Sequence, residues 1–185
     1  MTIRVFAMAI MLLFAGATLS PAEEAPQKVK DLAYSTLAAL GNDAVIVSAV
    51  KAENAKGKTL IQIKELDERW IKTPGLADFM KAVSDSECGR YLRSLLSSHP
   101  YYYEMFVMDN QGANVAMTDK TSDYWQGDEA KFIKSFNNGS GAVFVDQVKF
   151  DESSQAYLVQ VSVPVMDGDH AIGAITFGID IDKVP

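Results

Sequence analysis

At 185 residues the chain is long enough for one domain of ordinary size and short for two. Its formal net charge of −7 excludes nucleic acid as the main partner, because phosphate binding needs a basic surface. A single cysteine and two histidines exclude an internal disulfide and a cysteine-rich zinc site, and they leave a histidine-based triad poorly supplied.

Residues 1–22 read as a leader. Arg4 supplies a positive start, Val5 to Leu19 is an uncharged and almost wholly apolar run, and the small residues Ser20 and Ala22 precede a cut before Glu23. The run is too short for a membrane span of about 20 residues. The expectation is a cleaved signal peptide and one domain over 23–185, periplasmic or secreted. A retained anchor is the alternative. No lipobox cysteine accompanies it, since Cys88 lies far inside the chain, where it reads as an inert core residue rather than a catalytic thiol.

Apolar residues over 28–56 follow a helical stripe, with Gly41-Asn42 as a weak interruption. Leu60 to Ile71 is a second helical pattern. Thr73-Pro74 predicts a third helix over 74–83, and Ser86 caps a fourth that His99-Pro100 stops. After Pro100 the period changes to two. A strand over 103–108, a turn at Asp109–Gly112 and a return strand over 113–118 form a hairpin. A polar loop and a short helix at 127–137 follow. Three more strands complete the chain, at 142–150, 156–165 and 171–181, joined by turns at 151–154 and 167–169. Strands grouped after helices predict an α+β domain, with a five-stranded antiparallel sheet and the long N-terminal helix on one face.

The stretches FVMDNQGANVAMTDKTSDYWQGDEAKF and AVFVDQVKFDESSQAYLVQVSVPVMDGDHAIGAITFGIDI resemble the Cache, or PDC-type, PAS-like extracytoplasmic sensor domains. The features that match are a strand ending in Asp109 with Gly112 in the turn, the Tyr124-Trp125 pair, Ser162–Val165 in the fourth strand, and a last strand from Gly173 to Asp180. The resemblance spans about residues 28–182. It implies a small-molecule pocket on the sheet face away from the long helix. It also implies binding rather than catalysis, with no cofactor and no metal. Such domains are usually joined to a kinase or chemoreceptor. This sequence ends at Pro185 without an output domain, so the expectation is a free-standing single-Cache exported protein with a separate membrane receptor or kinase as partner.

Candidate ligand contacts follow from chemistry and resemblance together. A carboxylate needs donors on a partly dry wall. The resemblance brings Tyr124, Trp125 and Thr118 to the pocket, and it puts Lys149 near a ligand-contacting position on the third strand. Many relatives hold the ligand carboxylate with an Arg two residues before the Trp, a place taken here by Asp123, which moves the donor elsewhere. Arg93, one turn from Arg90, approaches from the side. Strand alternation puts Tyr101, Tyr103 and Met105 on one face, and Tyr103 and Met105 are the pocket candidates. Each has a structural alternative: core anchor for Trp125, solvated charge for Lys149 and Arg93. Asp167–His170 reads as a hairpin turn rather than a metal site. The expected function is a sensor for a small carboxylate, such as a keto or hydroxy acid. The alternative is an interaction module without a ligand that dimerises through the long helix.

Overall fold

The computed structural model describes residues 23–152 and 155–185. The leader expected at 1–22 lies outside the described residues, as do Ser153 and Ser154 of one expected turn. The helices are α1 (Gln27–Leu40), α2 (Ala44–Asn54), α3 (Leu60–Lys72), α4 (Asp78–Ser84), α5 (Glu87–Leu96) and α6 (Ala130–Phe136). The strands are β1 (Tyr102–Met108), β2 (Asn114–Met117), β3 (Phe144–Val145), β4 (Lys149–Asp151), β5 (Ala156–Asp167) and β6 (His170–Asp180).

The fold class is α+β, as expected. Antiparallel strands run in the order β2-β1-β6-β5, and β3 and β4 both lie beside β5. The sheet is thus five positions wide, with the fifth divided. The single strand expected over 142–150 is interrupted because Val148 donates its N–H to Glu23 O at 2.9 Å rather than to β5. The pairing also slips by one residue: Phe144 faces Ser162, but Lys149 faces Leu158.

The expected long N-terminal helix is present as two pieces bent by 66°. Asp43 separates them. Its Oδ1 accepts from the N–H of Val45 at 2.9 Å and caps α2, while its Oδ2 accepts from the Tyr91 hydroxyl at 2.7 Å. At the bend, Gly41 O accepts from Met166 N on β5. A Cβ at Gly41 would lie 2.1 Å from Pro164 O, so only glycine lets the helix end rest on the strand. Among the described residues, no single helix is long and apolar enough to cross a membrane.

Other starts follow local chemistry. Thr59 and Gln62 form a capping box at α3, and Ser86 accepts from Gly89 N at α5. The third helix begins at Asp78 rather than at Pro74. Thr73 ends α3 with its hydroxyl on Arg69 O, and Gly75 adopts φ +67, which breaks helical geometry between them.

Both faces of the sheet are covered. On one, Val107, Val159, Val161, Val163, Val165, Ile175 and Phe177 pack against Val29, Leu37, Ile46, Val50 and Leu92 of α1, α2 and α5. Burying each such aliphatic chain contributes roughly 1.5–3 kcal/mol relative to exposure. On the other, Phe106, Met108 and Ala174 meet Ile63, Trp70, Met80, Tyr124 and Phe132.

Candidate ligand-binding site

The second face differs from the first in carrying polar side chains in its middle. Register stacks them in rungs. Glu104, Gly178 and Gln160 share one rung across β1, β6 and β5, and Phe106, Thr176 and Ser162 share the next. Ser162 and Thr176 are fully buried and join hydroxyls at 2.8 Å. Gln160 Nε2 donates to Glu104 Oε1 at 3.1 Å, reaching over the strand between them. Gly178 makes this span available. A Cβ there would stand 2.6 Å from Glu104 Cγ.

The segment from Thr118 to Glu129 and helix α6 roof this face. Asp67 of α3 holds the segment, with its Oδ1 accepting from the N–H groups of Tyr124 at 2.8 Å and Trp125 at 3.0 Å. Trp70 Nε1 donates to Thr121 O at 2.9 Å, and Asn114 Nδ2 donates to Thr121 Oγ1 at 2.7 Å. Beneath the roof lies a cavity of about 60 Å³ lined by Glu104, Phe106, Thr121, Ser122, Gln126, Lys131 and Gln160. Lys131 has only 11% of its side chain exposed. It lies over the Phe106 ring and pairs with Glu129 at 2.8 Å. Gln126 is buried; its Nε2 donates to Asp123 O at 2.8 Å, and its Oε1 has no hydrogen-bond partner among the described residues.

Glu104 also lines a wider cleft of about 430 Å³ with Tyr103, Asp119, Lys120 and Asp151. Burial pushes the Glu104 carboxyl above its ordinary value. Gln160 and Lys131 act against that rise, and Asp151 and Asp119 add to it.

Of the residues singled out from the sequence, Tyr103 reaches the outer cleft. Met105 does not accompany it. A bulge between Tyr102 and Glu104 interrupts alternation, so Tyr101, Tyr102 and Met105 all join the core under the helices while Tyr103 is part-exposed. The expectation that Tyr103 and Met105 share a pocket face is thereby corrected. Thr118 is buried, accepting from Met105 N at 3.0 Å and donating to Met105 O. Tyr124 is buried, its hydroxyl accepting from Lys58 at 3.2 Å. Lys149 lies at the sheet edge, paired with Asp146 at 2.7 Å. Arg93 donates to Ser84 O at 2.6 Å and contacts Asp85.

Trp125 donates from Nε1 to Gln111 O and carries Lys64 over its ring at 4.6 Å. It lines a separate cleft of about 560 Å³ whose wall holds Asp67, Glu68, Asp123, Asp128 and Glu129. Five carboxylates against Lys64 oppose an anion there. Thr121, Ser122 and Gln126 belong to the polar loop 118–128 that the sequence offers as the best source of ligand donors, whereas the cavity residues Glu104, Phe106, Lys131 and Gln160 were not singled out. Gln160 and Ser162 were visible as polar positions two apart in an otherwise apolar strand.

No family model and no curated protein matches the chain. Three similar solved structures are sensor or ligand-binding domains. One is the ligand-binding domain of the Campylobacter jejuni chemoreceptor Tlp3 in complex with L-valine: 15% identity, TM-score 0.39, covering 87% of this chain and 69% of that one. A second is the sensor domain of the V. cholerae histidine kinase DctB: 12% identity, TM-score 0.35, covering 85% of this chain and 59% of that one. The third is the E. coli DcuS sensor domain: 15% identity, TM-score 0.39, covering 77% of this chain and 96% of that one.

Proposed function

We propose that the chain is an exported sensor domain that binds a small carboxylate metabolite under the 118–129 roof and reports occupancy to a separate membrane receptor or kinase. The polar rungs inside the roofed face carry this reading. Keeping Ser162, Thr176 and Gln126 buried, and Glu104 and Gln160 half-buried, where apolar residues would pack is costly, and such groups are retained where they serve binding. Lys131 and Lys120 are the nearby cations that would receive a carboxylate, Lys131 by exchanging Glu129 for the ligand. Occupancy would then shift the balance between closed and lifted states of the roof.

The test is a thermal-shift screen of small acids up to millimolar concentration. A ligand at 100 times its Kd stabilises by about 2.7 kcal/mol, which is readily measured. Absence of any shift across the screen rejects the reading. The second reading is an interaction module without a ligand. The small inner cavity favours it, since about 60 Å³ is far below the roughly 300–1,000 Å³ of ordinary ligand sites. It expects no metabolite response and a stable self-association.

A further inference from the structure

We infer that the open edge of the sheet at β4 is a self-association surface, and that its partner is a second copy of this chain, paired antiparallel about a twofold axis at Phe150. The inference goes beyond the sensor reading and is independent of what the roofed face binds.

The two edges of the sheet are finished differently. Beside β2 the roof segment closes the edge: Asn114 N donates to Tyr124 O at 2.9 Å, Gln126 N donates to Gly112 O at 2.8 Å, and Ala113 bridges to Trp125. On the other edge, Glu23 accepts from Val148 N and the cover stops there. The strand beyond it, Lys149-Phe150-Asp151, pairs with β5 on its inner side. Tyr157, opposite Phe150, gives its carbonyl to Ile181 N on the far side of β5. By alternation Phe150 therefore turns its own N–H and C=O outward. Among the described residues nothing takes either group. The Phe150 ring lies 5.1 Å from that of Tyr157, and the two residues are 48% and 49% exposed. An open edge beside exposed aromatics is a template for another strand.

The residues of the edge select that strand. Read antiparallel about Phe150, Lys-Phe-Asp is its own charge complement. Phe150 faces Phe150 of the second copy and exchanges both backbone hydrogen bonds with it, while Lys149 of each copy faces Asp151 of the other. Parallel pairing in register would instead set Lys149 on Lys149 and Asp151 on Asp151. Lys149 is paired with Asp146 at 2.7 Å, but its side chain is 69% exposed, and a surface pair of this kind is exchanged at little cost. The twofold also brings the two Phe150-Tyr157 ring pairs together and covers them. Because the same patch is used on both copies, the contact closes as a dimer and does not propagate.

The experiment is sedimentation equilibrium of the purified protein over a concentration series, with the variants Lys149→Asp and Asp151→Lys studied alone and mixed. The unmodified protein should dimerise. Each variant alone should associate at least about tenfold more weakly, since the twofold puts two like-charge contacts into every dimer. An equimolar mixture of the two variants should regain the dimer, because the mixed edge sets two acids against two lysines. That recovery reads the charge pairing itself, whatever either substitution does to folding. A monomer throughout the series overturns the inference. So does a mixture that stays monomeric. Variants that dimerise as tightly as the unmodified protein also overturn it, and put the contact elsewhere, such as the outer face of α1. The sensor reading stands in each case.

Discussion

Substituting Gly41 by Ala tests whether the bend between α1 and α2 is set by contact with β5. Gly41 has φ −63 and ψ −17, which alanine adopts freely. By propensity and unfolded-state entropy alone, Gly41→Ala should stabilise by about 0.4–1 kcal/mol. The contact argues the opposite sign. The new Cβ would lie 2.1 Å from Pro164 O and 3.2 Å from Pro164 C, both backbone atoms of a strand paired along its length with β6. Neither can swing aside as a side-chain end would. Overpacking of this kind costs about 1–3 kcal/mol, and a backbone obstacle places it at the upper end. The net loss is then about 2–3 kcal/mol, a fall in Tm of roughly 4–12 °C for a domain of this size. Calorimetry or circular dichroism reads the melt. Hydrogen exchange adds a local measure, since the Met166 amide donates to Gly41 O at 2.9 Å and should exchange faster in the variant. An unchanged or raised Tm, with Met166 protected as before, would show that the bend does not depend on this contact.

Lys58 bridges Glu53 and the Tyr124 hydroxyl. Burial works to raise the Glu53 carboxyl, but its bonds to Lys56 and Lys58 outweigh burial and hold it below the ordinary value. A depressed carboxyl stabilises above its unfolded pKa and loses that contribution as pH falls through the folded value. Lys58→Met should therefore cost about 1–3 kcal/mol in urea unfolding at pH 7, and much less at pH 3; an equal cost at both would refute the charge argument. Glu104 has the reverse sign. Its raised carboxyl favours folding below the unfolded pKa, an advantage lost as pH rises through the folded value. The gain in stability of Glu104→Gln should accordingly grow between pH 4 and pH 8, and a flat difference would argue against it. Burial, helped by Asp43 and Glu87, pushes the Cys88 thiol up to about 12. Iodoacetamide at pH 8 should leave the native protein unlabelled while labelling the urea-unfolded chain fully; native labelling at the rate of a free thiol would contradict the burial.

Local signals carried much of the fold. Asp109 accepts from Gln111 and Ala113 at its turn, Ser86 caps its helix, and the change of period after Pro100 marks where the sheet begins. Each depends on residues within a few positions of one another. The angle at Gly41 was not legible, because it depends on Pro164, distant in sequence. The site was less legible for the same reason. Alternation assigned Met105 to the pocket, and the bulge after Tyr102 sent it to the opposite core. Gln126 and Lys131 take on meaning only once Asp67, on another helix, has folded the roof over Glu104. The polar pair Gln160 and Ser162 was the one site signal available in the strand pattern itself.

The inner cavity has a consequence for timing. At about 60 Å³ it holds a few waters and no metabolite of ordinary size, so on the sensor reading the roof would have to lift for a ligand to fit beneath it. Loading then has a slow first step that ligand concentration does not accelerate. In stopped-flow fluorescence from Trp70 and Trp125, which both bond the roof or belong to it, the observed rate should level off as ligand rises instead of climbing in proportion. On the sensor reading, such a domain would act as a low-pass filter. Pulses of ligand shorter than the opening time pass unregistered, and the signal follows the average supply rather than its fluctuations.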